Sequence, residues 1–219
     1  MSAERAENDK VVLFYTLYER IWHWLQALSV VVLLVTGFEI SYGSLFTVTG
    51  FETAVTVHNI AGLVLVLNAF LALFYNLAGG LIRQYIPAAR DIFPLGFKHA
   101  SYYIFGIFRG DPHPFDKTPQ RRLLPLQKIT YFLILNLLLP LMVVTGLLKL
   151  GADTYPELVA WFGGLKVLGP VHRFGAWLFA AFVIMHVYMT TTGTTWWSNM
   201  KAMVTGYGRS ECSEEGESS

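Results

Sequence analysis

The sequence predicts an all-α fold, an integral membrane four-helix bundle with a long cytoplasmic loop between spans two and three and both termini cytoplasmic. Three observations lead there. Of the 219 residues, 54% are hydrophobic and only 14% are charged, a balance too apolar for an ordinary water-soluble domain. Four apolar stretches, at 21–40, 55–77, 129–148 and 167–191, each reach the roughly 20 residues that cross a bilayer core. The basic residues are also unevenly placed. Arg5, Lys10 and Arg20 precede the first span, and Arg83, Arg90, Lys98, Arg109, Lys117, Arg121, Arg122 and Lys128 lie between the second and third. None lies between the first and second, and only Lys149 and Lys166 lie between the third and fourth. The positive-inside rule then puts both termini and the central loop on the cytoplasmic side.

The elements follow in order. A polar N-terminal segment leads into the first span, which His23, Gln26 and Glu39 interrupt. That span is too long, and lacks the small-residue cleavage site, for a removable signal, so it is expected to stay in the membrane. Trp22 and Trp24 at its start, and Trp196 and Trp197 beyond the fourth span, suit interfacial anchors. The central loop, 79–124, carries the run Ser101-Tyr102-Tyr103-Ile104-Phe105-Gly106-Ile107-Phe108. It reads as an amphipathic helix lying on the membrane surface, rings buried and Lys98 and Arg109 outward. His99 and His113 of the same loop read as surface residues. Residues 1–209 form one four-span membrane domain, and 210–219 read as an acidic disordered tail.

Composition also narrows the function classes. A net charge of +1, with the basic residues confined to loops, gives no basis for nucleic-acid binding. The single cysteine, Cys212, can make no intrachain disulfide and supplies no zinc or iron–sulfur ligand set. There is no nucleophile with an adjacent base and no phosphate-cradling glycine loop, so the chain holds no substrate-oxidising centre of its own.

What remains is histidine. His23, His58, His172 and His186 all fall within the apolar stretches, where an ionisable residue marks function by default. His172 and His186 are 14 residues apart on one span. In a helix that gap is about 21 Å along the axis with a return to nearly the same face. Depth follows from orientation: His58 and His172 begin their spans at the outer face, whereas His23 and His186 lie near the cytoplasmic face. The four sort into an outer pair, His58 with His172, and an inner pair, His23 with His186. Two stacked haems, each held by two imidazoles, suit this arrangement. Such six-coordinate iron has no open position and serves electron transfer rather than oxygen chemistry.

Gly37 lies 14 residues after His23, at the depth of the outer pair, where a missing side chain leaves room for a macrocycle. Val144-Thr145-Gly146 echoes Val35-Thr36-Gly37 at the outer ends of spans three and one. Close helix packing explains such glycines equally well. Arg173, beside His172, and Arg20, three residues before His23, are candidates for pairing with haem propionates, with interfacial snorkelling as the alternative. For the quartet itself the alternatives are a proton relay, a non-haem metal site or plain helix–helix hydrogen bonding. Under the last of these the chain is a haem-free membrane anchor for a soluble redox partner.

Several stretches resemble one family. They are Glu19-Arg20-Ile21-Trp22-His23-Trp24, Val57-His58-Asn59-Ile60-Ala61-Gly62, Pro125-Leu126-Gln127-Lys128, His172-Arg173 followed by His186, and the closing run from Trp197 to Tyr207. Together they resemble the di-haem cytochrome b subunits (gamma subunit type) of membrane-bound formate dehydrogenases, with relatives in thiosulfate reductases and nickel–iron hydrogenases. The resemblance implies two b-type haems and a bacterial cytoplasmic (inner) membrane location. It also implies a respiratory complex in which an iron–sulfur subunit and a catalytic subunit are partners. Electrons would pass between that partner, the outer haem, the inner haem and a quinone, menaquinone or ubiquinone, near the cytoplasmic face. A periplasmic multihaem cytochrome is the alternative partner. Gln127 and Lys128, at the cytoplasmic start of the third span, are the candidate quinone contacts. Many members carry Asn before the Pro-Leu-Gln-Lys stretch, where this chain has Leu124.

Overall fold

The computed structural model describes residues 10–80, 86–87, 95–111, 125–191 and 195–210. His113, Leu124, Cys212, the tail from 211 and the side chain of His99 lie outside the described residues. Four helices are long and apolar enough to cross a membrane: Leu17–Tyr42 (α1), Phe51–Ala78 (α2), Leu126–Leu150 (within α4) and Leu165–Thr190 (α6). Shorter helices are α3 (Phe97–Ser101), α5 (Pro156–Trp161) and α7 (Ser198–Thr205). The chain divides into two compact units, one of Met1–Arg20, Gly80–Phe132 and Thr190–Ser219, the other of Ile21–Gly79 and Leu133–Met189.

In the first unit, the start of α1 is set by a capping box. The Thr16 amide donates to Glu19 Oε2 at 2.7 Å, and the Glu19 amide donates back to Thr16 Oγ1 at 3.3 Å. Two of the helix's orphan amides are satisfied in this way, which carries α1 four residues ahead of the apolar run. An all-α reading also misses a short antiparallel ribbon. Strand β1 (Lys10–Leu13) pairs with β2 (Tyr207–Ser210), Lys10 opposite Ser210 and Leu13 opposite Tyr207. Gly206, at φ +89, makes the turn between α7 and β2, and its carbonyl accepts from Phe14 and Tyr15. A Cβ there would sit 2.7 Å from the Tyr15 carbonyl, so both backbone conformation and close approach call for glycine.

The aromatic run of the central loop is helical. From α3 it passes through a π-helical turn, Tyr102–Gly106, into Ile107–Arg109. Phe97, Ile104, Phe105 and Phe108 are exposed, as are Lys98 and Arg109, while Tyr103 is buried. The exposed apolar residues recur at helical spacing, the pattern of a helix laid on a lipid surface.

In the second unit, α1 and α2 run antiparallel. Near the start of α1, Asn68 of α2 donates to Gln26 Oε1 at 2.8 Å and to the Trp22 carbonyl at 3.2 Å. At the other end, Glu39 of α1 is 2% exposed, and its Oε1 accepts from the amides of Val48, Thr49 and Gly50 at 2.7–2.9 Å. The Thr49 hydroxyl donates to Oε2 at 3.2 Å. A buried carboxylate is tolerable only when paired or hydrogen-bonded, and this one fixes the loop that turns at Gly50 (φ +88) into α2. Helix α4 comprises Pro125–Leu133, a π-helical turn Ile134–Leu138, and Leu139–Leu150. Pro140 has no N–H for the preceding turn, and the wider turn just ahead of it re-spaces the carbonyls.

Candidate functional site

All four intramembrane histidines belong to the second unit and face one another in the two expected pairs. His58, in the third turn of α2, and His172, in the first half of α6, have ring centroids 6.3 Å apart at 72°. His23 of α1 and His186 near the end of α6 have centroids 6.1 Å apart at 48°. The 14-residue gap along the continuous helix α6 separates the pairs by about 21 Å.

The first pair is built from a repeated device. The Thr36 hydroxyl of α1 lies 2.9 Å from His58 Nδ1, and the Thr145 hydroxyl of α4 lies 2.8 Å from His172 Nδ1. The following glycines leave room for the rings. A Cβ on Gly37 would sit 3.1 Å from His58 Cε1, and one on Gly146 would sit 3.4 Å from His172 Cε1. The echo of Val-Thr-Gly in α1 and α4 is thus one cradle used twice, each holding a histidine from the next membrane-length helix. Gly37→Leu is expected to push His58 from its position and disrupt this pair. Gly146→Ala, at ordinary contact distance, should be tolerated and gain some helix propensity, up to about 1 kcal/mol. Thermal denaturation together with visible spectra of the two variants checks the contrast.

The second pair has different surroundings. His186 stacks on Phe182 at 5.7 Å and 27°, and Trp24 meets His23 edge-on at 5.4 Å. Trp22 Nε1 and His23 Nδ1 are buried with no hydrogen-bond partner among the described residues.

The other candidates fall as follows. The Arg173 guanidinium lies 5.8 Å from the centre of the Tyr42 ring, a cation–π contact. Tyr42 in turn accepts a hydrogen bond from Trp177 Nε1 at 3.2 Å. Arg20 belongs to the first unit, where its Nη1 donates to the Val204 carbonyl at 2.6 Å. Gln127 and Lys128 are half-buried at the start of α4, also in the first unit. Thr36, Thr145 and Glu39 were not among the residues that sequence reasoning assigned a site role. The signal for the threonines was present, since each directly precedes a cradle glycine in the repeated tripeptide.

The donor set suits haem. Among the described residues no group of three or more His, Cys, Asp or Glu side chains could hold a metal ion. Two imidazoles alone fill only the axial positions, leaving the rest to a macrocycle. Two metal–imidazole bonds of about 2.0–2.1 Å on opposite sides of one ion, with each ring centre roughly 1.1 Å behind its nitrogen, need centroids about 6.3 Å apart. Both pairs stand at that spacing, farther apart than directly hydrogen-bonded rings.

Comparison with known proteins agrees. Residues 14–206 match the family described as prokaryotic cytochrome b561. The putative cytochrome YdhU of Escherichia coli K12 is 32% identical over 205 residues, covering 93% of this chain and 77% of that protein. The probable Ni/Fe-hydrogenase B-type cytochrome subunit of Rhizobium leguminosarum bv. viciae is 26% identical, covering 85% of this chain and 83% of that one. The probable Ni/Fe-hydrogenase 1 B-type cytochrome subunit of E. coli K12 is 27% identical, with 84% of each chain covered. With its four membrane-length helices and a match along most of its length, the chain belongs to the prokaryotic cytochrome b561 family, membrane proteins that carry haem b.

Proposed function

We propose that this protein is the electron-transferring, quinone-reactive subunit of a respiratory oxidoreductase complex in the bacterial cytoplasmic membrane. It would hold two b-type haems, an outer one between His58 and His172 and an inner one between His23 and His186. The observation that carries this reading is the pair of facing imidazole sets, each at the spacing of one bis-histidine iron, about 21 Å apart on a shared helix. When bound, haem iron supplies one-electron ferric–ferrous chemistry.

The chain's own residues do the rest. His58 with His172 and His23 with His186 would hold the haems and leave no open position at the iron, which would suit electron transfer rather than oxygen chemistry. The apolar outer surface of α1, α2, α4 and α6 insulates the path from the surrounding lipid. Arg173 and Arg20 are the candidate partners of haem propionates, and Gln127 and Lys128 the candidate contacts of a menaquinone or ubiquinone. Lys and Arg placement supports an outward His58/His172 end, which would face an iron–sulfur partner that joins the chain to a catalytic subunit. The quoted motifs favour a formate-dehydrogenase-type complex. The hydrogenase cytochrome subunits among the relatives favour a second reading in which the catalytic partner is a hydrogenase.

The test is quinol-driven haem reduction in membranes containing the assembled complex. Wild-type protein should show both haems reduced by added menaquinol. His186→Ala should remove the inner haem and slow reduction of the outer one to background. Undiminished reduction of the outer haem by quinol in that variant contradicts the proposed order.

A further inference from the structure

The threonines of the two cradles control more than position. Thr36 Oγ1 lies 2.7 Å from the Val32 carbonyl, and Thr145 Oγ1 lies 2.7 Å from the Leu141 carbonyl. Each hydroxyl has one hydrogen, and a carbonyl oxygen can only accept. That hydrogen is therefore spent on the helix, and only lone pairs are left to face the histidine. So Nδ1 of His58 and Nδ1 of His172 must be the donors in the 2.9 Å and 2.8 Å contacts. Both rings are thereby held as the Nδ1–H tautomer, which places the lone pair on Nε2. The contrast lies at the other pair, where His23 Nδ1 has no partner among the described residues.

We infer that Thr36 and Thr145 are positioning residues that fix the tautomer and raise the basicity of His58 and His172, and so lower the reduction potential of the haem these histidines hold. The inference rests on the ligation proposed above. A ring that shares its Nδ1 proton with an acceptor places more electron density on Nε2, and that density stabilises ferric over ferrous iron. Valine keeps the shape of threonine without the acceptor, whereas serine keeps the hydroxyl and its bond to the helix carbonyl.

The experiment is a spectropotentiometric titration of the purified full-length chain with its haems. It compares wild type, the Thr36→Val/Thr145→Val double variant, the corresponding double serine variant and His58→Ala. The valine variant should shift one of the two haems toward the ferrous form by about tenfold at a given potential, equivalent to about 59 mV for a one-electron couple. The other haem and the serine variant should stay at wild-type values. Loss of one haem from the valine variant, with retention in the serine variant, supports the same role. Unchanged potentials in a valine variant that keeps both haems overturn the inference, as does an equal shift in the serine variant. His58→Ala separates the two levels. If it loses one haem, the ligation stands whatever the threonines do; if it keeps both, the ligation fails and the inference goes with it.

Discussion

His172→Ala is expected to halve the haem content, leaving one haem per chain where the wild type is expected to hold two, and to abolish transfer between the partner subunit and quinone. The reason is geometric. His172 and His58 face each other across 6.3 Å, and no other described histidine stands within that pair. Alanine leaves His58 as the lone imidazole of that pair, with the Thr145 hydroxyl still turned to its own helix carbonyl. His58→Ala should give the same result from the other side. The remaining haem should stay low-spin, because His186 lies 14 residues, roughly 21 Å, from His172 along α6 and faces His23 of α1. His99→Ala, in the central loop, should keep both haems and serves as the control. Haem content per chain and the visible spectrum of each purified variant read the outcome. Two haems in the His172 variant would contradict the pairing.

Glu39→Ala is expected to destabilise the fold more than any other single change outside the histidines. The carboxylate takes three backbone amides and one hydroxyl, all lost together. Val48 and Thr49 are exposed, so water recovers part of the lost hydrogen bonding, and the thermal midpoint should still fall clearly below that of wild type. Because the loop sets the first turn of α2, and His58 follows two turns later, outer haem retention should fall as well. Glu39→Gln keeps an amide oxygen for the same backbone donors and should lower the midpoint less than Glu39→Ala. Thermal unfolding in proteoliposomes, followed by loss of haem absorbance, distinguishes them. Equal midpoints for Glu39→Ala and wild type would show that these contacts do not hold the loop.

The parts of the fold that depend on local spacing were legible in the residues. Hydropathy located all four spanning helices, and the gap of 14 between His172 and His186 located both facing pairs, because it nearly matches a whole number of helical turns. Features that depend on distant partners were not. Glu39 read only as an interruption of an apolar run, since its acceptors' partners lie across a loop at 48–50. Lys10–Leu13 is too short to announce a strand, and its partner Tyr207–Ser210 comes from the other end of the chain. Likewise, Arg20 stands three residues from His23, yet its guanidinium donates to Val204, 184 residues away. The Thr-Gly repeat was half legible. The glycines announced a need for space, but the tautomer control by Thr36 and Thr145 emerges only when the i−4 carbonyl and the imidazole are seen to compete for one hydroxyl.

The central claim is that the two histidine pairs hold two haems. A pyridine haemochrome assay on the purified chain, combined with low-temperature electron paramagnetic resonance of the oxidised protein, tests it most directly. Two haem b groups per chain and two low-spin ferric signals are expected. A folded chain with one haem or none, or with a high-spin signal from either site, would contradict it.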